Sequence, residues 1–529
     1  FGYGAGRDNT TGQRNTFIGQ RAGFLNTTGV SNNFIGWSAG LLNTTGGFNN
    51  IIGGFAGISN TSGSYNNFFG YTAGRSNTTG NHNNFLGQHA GRNNTTASHN
   101  NFIGEKAGCS NTTGINNNFF GYAAGKSNDT GTSNFFAGLT AGYSNTTGAH
   151  NIIIGGASGR ANTTGSHNNF LGMFAGRYNT TGCQNNFLGR FAGFHFTASN
   201  NVAIGNSALK GVSGQSTGEN NIAIGELAGI ANTTGCDNNF FGYAAGSCNT
   251  TGKNNNFLGR AAGFNNTTGK DNNFFGLNAG AANTSGCDNN NFGFFAGRSN
   301  TTGSKNNFMG RGAGFFNTTG DCNNFIGSYA GMFNTTGNHN NFIGHFPGCS
   351  NTSGSCNTFL GEKAGCNVTT GSCNIVIGPR VNTSGTGAAN EVYIDSGTGN
   401  AACFSGSFSA WGNTSDCRDK TNVTPLTQGR CFLGQLKPVK FEWDYRDEEN
   451  RNGSTQGTKE SGFLAQQVKE VVDANDAGYL KLVNENNPEQ LGLYKANFVP
   501  VLVKAIQELN EENDNLKAEL QAIKDHLSI

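Results

Sequence analysis

Charge is scarce in this chain. Asp, Glu, Lys and Arg make up 12% of its 529 residues, against roughly 25% in an ordinary globular domain. Proline occurs 6 times, and methionine and tryptophan 3 times each. With a hydrophobic fraction of 35%, this fits a fibrous β-shaft better than a charged globular surface. The 33 basic residues nearly balance the 31 acidic ones, which leaves no polybasic face for nucleic acid. The balance hides an asymmetry: residues 1–414 carry 19 basic and 12 acidic side chains, residues 415–529 carry 14 and 19. No apolar run approaches the about 20 residues that span a bilayer, so no membrane insertion is expected. No signal peptide is visible, but the chain opens at Phe1 in mid-repeat without an initiator Met, and an N-terminal attachment domain is expected to precede it. The 13 cysteines include no Cys-x-x-Cys, and no Gly-Lys-Ser/Thr follows a strand pattern. The shaft has no carboxylate pair placed for glycosidase work. No cofactor is expected.

What is abundant is glycine, 84 residues in all, set in a 17-residue unit that recurs along nearly four-fifths of the chain. One copy runs from Asn26 to Leu42 as NTTGVSNNFIGWSAGLL; Asn26 is counted here as position 1 of the coil. The Asn-Thr-(Thr/Ser) start recurs at Asn43, Asn60, Asn77, Asn94, Asn111, Asn145, Asn162 and Asn179, and after an irregular stretch at 196–231 the phase resumes at Asn232 and holds to Val368. A fixed short period marks a solenoid, each repeat being a coil that cannot bury its apolar face alone. The glycine content and the Asn-Thr triplets oppose helix. The fold class is therefore mostly β: a parallel β-solenoid or β-roll of 17-residue coils with a small α+β C-terminal domain. At about 4.8 Å per coil the shaft makes a rod on the order of 100 Å long.

Each unit concentrates its apolar residues in a pair, such as Phe34-Ile35, Phe68-Phe69 or Phe342-Ile343. Adjacent strand residues point to opposite faces. An apolar residue on both faces implies that the outer face is also buried, most simply against other copies of the chain. The Gly36–Gly40 segment and Thr28-Gly29 are predicted to form corners with φ > 0.

Position 6 holds Cys322, His339, Cys356 and Cys373 in four consecutive coils. A straight column cannot supply four ligands to one tetrahedral zinc, and Phe48, Lys305 or Asp237 stands there in other coils, so a variable surface corner is predicted and no metal. Cys349 and Cys366 are 17 residues apart, as are Cys356 and Cys373; a ladder of thiols is expected, because in-register neighbours on parallel strands orient poorly for a disulfide. The Asn-Thr-Thr sequons could carry glycans in a eukaryotic secretory host, but stacked Asn and Thr ladders at the corners are the expected use. The irregular insert 196–231, including Leu209–Gly214, is the expected protruding feature.

The domain layout read from composition is a shaft at 1–385, a β-rich neck at 386–414 containing Glu391-Val-Tyr-Ile-Asp395, and a distinct domain at 415–529 whose C-terminal helix covers 498–527. In that helix Leu502, Ile506, Leu509, Asn513, Leu516, Leu520, Ile523 and Leu527 alternate spacings of 4 and 3, a heptad seam in which Asn513 would fix register. Self-association is expected, since the flanking Glu511, Glu512, Asp514 and Lys517 leave only the seam to bury.

Asn201-Val-Ala-Ile-Gly205 and Asn221-Ile-Ala-Ile-Gly225, each followed by a corner, resemble the head repeats of trimeric autotransporter adhesins, which implies left-handed parallel β-rolls packed as trimers; Asn-Thr-Thr-Gly arrays are similar to those of viral tail-fibre-like proteins. The ordered set Ser415–Val423, Leu436–Trp443, Gly462–Val468 and Tyr494–Pro500 resembles the endosialidase-type intramolecular chaperone domain of phage tail spikes and fibres across 415–529. That resemblance implies a domain that trimerises, aids folding of the shaft, and cuts itself off at the Thr414–Ser415 bond. Ser415 would be the nucleophile and Lys420 the base, with Asp416 and Arg418 at supporting motif positions. The family's common motif has Leu before the Lys, where this chain has Asp419. Enzymatic activity would be at most a single-turnover Ser-Lys endopeptidase. The expected function is a homotrimeric fibre or tail-spike shaft, located on a virion surface or outside the cell and facing a host glycan or protein receptor. The alternative is a bacterial cell-surface adhesin or extracellular filament with an uncleaved trimerisation cap.

Overall fold

A computed structural model of the chain describes residues 1–395, 402–405, 421–442, 459–485 and 491–527. It divides into two compact units, Phe1–Ile394 and Asp395–Ile529. The first is a solenoid of twenty-two three-residue strands, from β1 (Thr16–Ile18) to β22 (Ile375–Ile377), followed by β23 (Glu391–Ile394). Each strand pairs in parallel with the next; the register sets Phe68 on Phe85 and Phe85 on Phe102. Chain neighbours are thus sheet neighbours throughout.

The second residue of each strand faces inward. Phe34, Phe68, Phe85, Phe102 and their equivalents are fully buried, and an Ala at position 14 closes the interior opposite them. The phenylalanine rings stack nearly parallel, as in Phe68–Phe85 (centroids 4.9 Å apart, 6° between planes) and Phe342–Phe359 (4.6 Å, 3°). Aromatic pairs left to themselves prefer offset or edge-on geometry. The face-to-face stack is imposed by the strand spacing.

Two buried asparagine ladders satisfy the corners. At position 1, Asn43 Nδ2 donates to Asn26 Oδ1 (2.7 Å) and to the Gly46 carbonyl (3.0 Å). At position 7, the Asn49 amide N–H donates to Asn32 Oδ1 (3.0 Å), and its Nδ2 to the Gly63 carbonyl (2.8 Å). A fully buried amide in such a ladder cannot carry a glycan on the folded shaft, so the sequons serve as corner ladders. Thr27 Oγ1 likewise donates to the Thr44 carbonyl in the next coil (3.0 Å).

The corners differ in one respect from the sequence reading. Gly36 (φ +133°) and Gly40 (φ +57°) do take positive φ. Gly29 does not: it is glycine because a Cβ would lie 2.4 Å from the Gly46 carbonyl oxygen. The left-handed residues are the neighbouring non-glycines at positions 6 and 13, such as Phe48 (φ 61°), His82 (φ 56°) and Phe55 (φ 57°). Each donates its N–H to the preceding coil, Phe48 to Val30 and Phe55 to Trp37. Those bonds offset a backbone cost of about 1–2 kcal/mol per residue.

The irregular stretch does not break the stack. Asn186 pairs with Val202 and Val202 with Ile222, so a coil of 16 residues is followed by one of 20. Phe196 and Leu209 enter the core; within Leu209–Gly214 the exposed residues are Val212, Ser213 and Gly214, and Leu209 is not among them.

The second unit contains α1 (Arg430–Leu433), β24 (Val439–Glu442) antiparallel to β25 (Lys459–Gly462), α2 (Ala465–Ala474), a short pair formed by Val483–Asn484 and Gly492–Leu493, and α3 (Phe498–Leu527). No described helix is long and apolar enough to cross a membrane.

Candidate assembly surfaces and the C-terminal domain

The third residue of every shaft strand is apolar, from Ile18 through Ile377, and it faces outward. Phe69, Leu86, Ile103, Leu171, Leu188, Met309 and Leu360 are 36–43% exposed. Beside them runs a ladder of strand-opening asparagines, Asn33 Nδ2 donating to Asn50 Oδ1 (2.8 Å) and Asn50 Nδ2 to Asn67 Oδ1 (2.9 Å). A continuous apolar column of this length on a solvent-facing surface is a candidate interface.

In the C-terminal unit Phe432, Leu436, Val468, Val472, Ala477 and Leu482 form a core, closed by Phe498 and Val501 from the first turn of α3. Pro500 is tolerated there because first-turn N–H groups have no intrahelical partner. The remainder of α3 leaves the core, and every described residue from Leu509 onward is exposed. Thirty residues of helix extend about 45 Å. The seam residues Leu502, Ile506, Leu509, Leu516, Leu520, Ile523 and Leu527 are 46–59% exposed, and Asn513 is exposed among them. From Leu509 onward no described residue of the unit covers the seam. Most helical stability in proteins comes from packing an amphipathic face.

Glu508 ties α3 to α1. Its carboxylate accepts the Arg430 backbone N–H (2.7 Å) and lies 3.4 Å from Lys504, while the Arg430 guanidinium pairs with Glu512. The Arg430 N–H, seconded by Lys504, holds the Glu508 carboxyl below its ordinary value. Beside this contact a groove of about 320 Å³ is lined by Leu433, Gly434, Leu502, Ala505, Ile506 and Leu509, so the N-terminal seam residues border open apolar space.

Thr414, Ser415, Asp416, Arg418 and Lys420 lie outside the described residues. The description resumes at Thr421, and residues 421–425 are exposed.

The position-6 column is on the shaft surface, with His339, Cys356 and Cys373 exposed and Cys322 half-buried. Elsewhere in the same column Phe48, Tyr65, His82 and His99 stack at 4.9–5.0 Å, which agrees with a variable surface corner. Among the described residues no cluster of three or more His, Cys, Asp or Glu could hold a metal ion.

Sequence reasoning passed over three features. Asn291 occupies the inward strand position held by phenylalanine in neighbouring coils; the break in the repeat was its visible signal. Glu508 carries no motif. The third is a distance: Cys349 and Cys366, read as stacked thiols, are free cysteines whose sulfurs lie only 2.6 Å apart.

No curated protein and no solved structure matches the chain. The matched family region covers three of the four C-terminal motifs and stops before Tyr494–Pro500 and α3, short of the full 415–529 span of the resemblance. Residues 415–477 match the family described as chaperone of endosialidase, and together with the β-solenoid this fits a tail-fibre or endosialidase-type protein.

Proposed function

We propose that this chain is the shaft subunit of a homotrimeric fibre or spike that recognises a host surface or spaces a recognition module from it, and that its C-terminal domain assembles three chains and then cuts itself off. The observation that carries the reading is α3: a heptad seam emerges from a closed domain core and finds no cover among the described residues of its unit. The outward apolar column of the shaft supports it, since a second exposed apolar surface runs the whole length of the solenoid.

The physical need for such a domain follows from the repeat. A slip of three chains by one coil preserves nearly every contact between near-identical coils, so register is poorly specified locally. A trimerising C-terminus sets it once. Removing the domain afterwards would leave the shaft kinetically trapped.

In the cleavage, Ser415 Oγ attacks the Thr414 carbonyl carbon while Lys420 takes the hydroxyl proton. The Ser415 amide nitrogen leaves with a proton, and water hydrolyses the resulting ester. The products are a Thr414 carboxylate and a new N-terminus at Ser415. A serine needs such a base, and lysine serves only when its surroundings favour the neutral amine. Asp419 adjoining Lys420 favours the ammonium instead, so cleavage is slowed or lost.

The test is intact mass of the expressed chain beside Ser415→Ala, with molar mass of the native particle. The expected result is a break at Thr414–Ser415 in the wild type, none in the variant, and three chains in both particles. An intact wild-type chain in a trimer would withdraw the protease and leave a permanent cap, as in an adhesin or filament. A monomeric particle would overturn the assembly reading.

A further inference from the structure

Cys349 and Cys366 occupy position 16 of adjacent coils, at a corner and not on a strand. We infer that they form an oxidisable pair, a covalent rivet between two of the last coils of the shaft that closes when the protein meets a disulfide oxidant. Two independent observations converge on them. The first is the sulfur contact of 2.6 Å, closer than two unreacted thiols pack side by side. The Cys366 thiol also donates to the Phe346 carbonyl (2.8 Å), which holds its sulfur against Cys349.

The second is a gap in the backbone ladder at the same place. In coil after coil the position-17 N–H donates to the position-16 carbonyl of the next coil, as in Leu25 to Leu41, Ser144 to Arg160, Ser299 to Phe315 and Phe316 to Met332. Among the described residues the series stops at the next two steps: neither Phe333 N–H to the Cys349 carbonyl nor Ser350 N–H to the Cys366 carbonyl is made. The cause lies two residues away. Position 14 of this coil is Pro347 in place of alanine, and it has no N–H to close the corner as Ala330 closes onto Gly327 and Ala364 onto Gly361. The rigid ring sits buried in the corner; both missing bonds flank its coil, and one of them, Ser350 to Cys366, joins the same two coils as the sulfur pair.

The chemistry is thiol–disulfide exchange with a low-molecular-weight disulfide such as oxidised glutathione. The Cys349 thiolate attacks one sulfur of the oxidant, whose S–S bond breaks, and one glutathione thiolate leaves and takes up a proton. Cys366 then loses its proton and attacks the Cys349 sulfur of the mixed disulfide, displacing the second glutathione. Two protein thiols are oxidised and one glutathione disulfide is reduced. Cys349 is the attacking group: the contact with Cys366 outweighs burial and, with Ser350 and the Lys363 charge, brings it down to about 6, whereas the same contact and burial push Cys366 up. The rivet would be open in a reducing cytosol and closed outside the cell. It does not depend on the assembly reading.

The experiment uses the full chain, purified reduced, equilibrated with oxidised glutathione, blocked with N-ethylmaleimide and sequenced without reduction by tandem mass spectrometry. A direct Cys349–Cys366 link that dithiothreitol reverses is expected. So is a protease half-life of the segment 333–394 several-fold longer than in equally treated Cys366→Ser. N-ethylmaleimide or glutathione on both cysteines would overturn the inference. A link without any gain in protease resistance over the variant would overturn the rivet as a stabilising device. The wild-type mapping decides the chemistry whether or not the variant folds.

Discussion

Asn291 lies in register with Phe308 in the next coil, as it does with Phe274 in the one before. A fully buried carboxamide thus interrupts the phenylalanine stack, and neither its Oδ1 nor its Nδ2 has a hydrogen-bond partner. The apolar core divides at this coil, one cluster ending at Ala279 and the other starting at Ala296. An unsatisfied buried polar group costs about 1–3 kcal/mol, and a phenylalanine there would add apolar burial.

Asn291→Phe is therefore expected to stabilise the surrounding coils by about 2–4 kcal/mol. By hydrogen exchange, the amides of the flanking strands should exchange roughly 30- to 1,000-fold more slowly. Phe308→Asn should act in the opposite direction and widen the break. Unchanged exchange in Asn291→Phe would mean that the amide has partners that its surroundings do not reveal.

The outward column separates folding of one chain from association. Ile103→Lys with Leu188→Lys removes two exposed apolar side chains and touches no residue of the inner stack. The expected outcome is an unchanged far-ultraviolet circular dichroism spectrum with loss of the trimer in molar-mass measurement. A trimer that survives both lysines would place the interface on another face of the shaft.

The Glu508 bridge has a defined pH sense. Its folded-state value is depressed by the Arg430 N–H, so its contribution is fully present above the ordinary glutamate value of 4.5. It is lost as pH falls through the lower folded value. Exchange at the Arg430 amide should accelerate on acidification through that window, and Glu508→Gln should flatten the pH dependence. Exposure of the group to solvent keeps the effect small.

Much of the shaft was legible before any coordinates. The period, the parallel in-phase stacking, and the inward and outward roles of Phe68 and Phe69 all follow from the strand's alternation and the repeat. The left-handed corners were not legible at Phe48 or His82, because no local preference puts such residues at φ > 0; closure of the coil and a bond to the preceding coil do. Ser415 and Lys420 were read from a motif alone and stand as a proposal. The helical seam was legible as a spacing, but a spacing does not say whether the stripe packs at home.

By itself, then, the sequence determined the solenoid, its coil length and the presence of a separate helical C-terminus, because periodic polarity acts at every repeat. Tertiary structure alone decided three other matters: that no described residue covers the seam from Leu509 to Leu527, that Asn291 has no partner among the described residues, and how closely Cys349 approaches Cys366. Each of these depends on what a neighbouring coil or helix brings to the same point in space. Pro347 is the clearest case: its missing N–H is written in the sequence, but the two broken backbone bonds and the sulfur contact beside it arise only when coils stack.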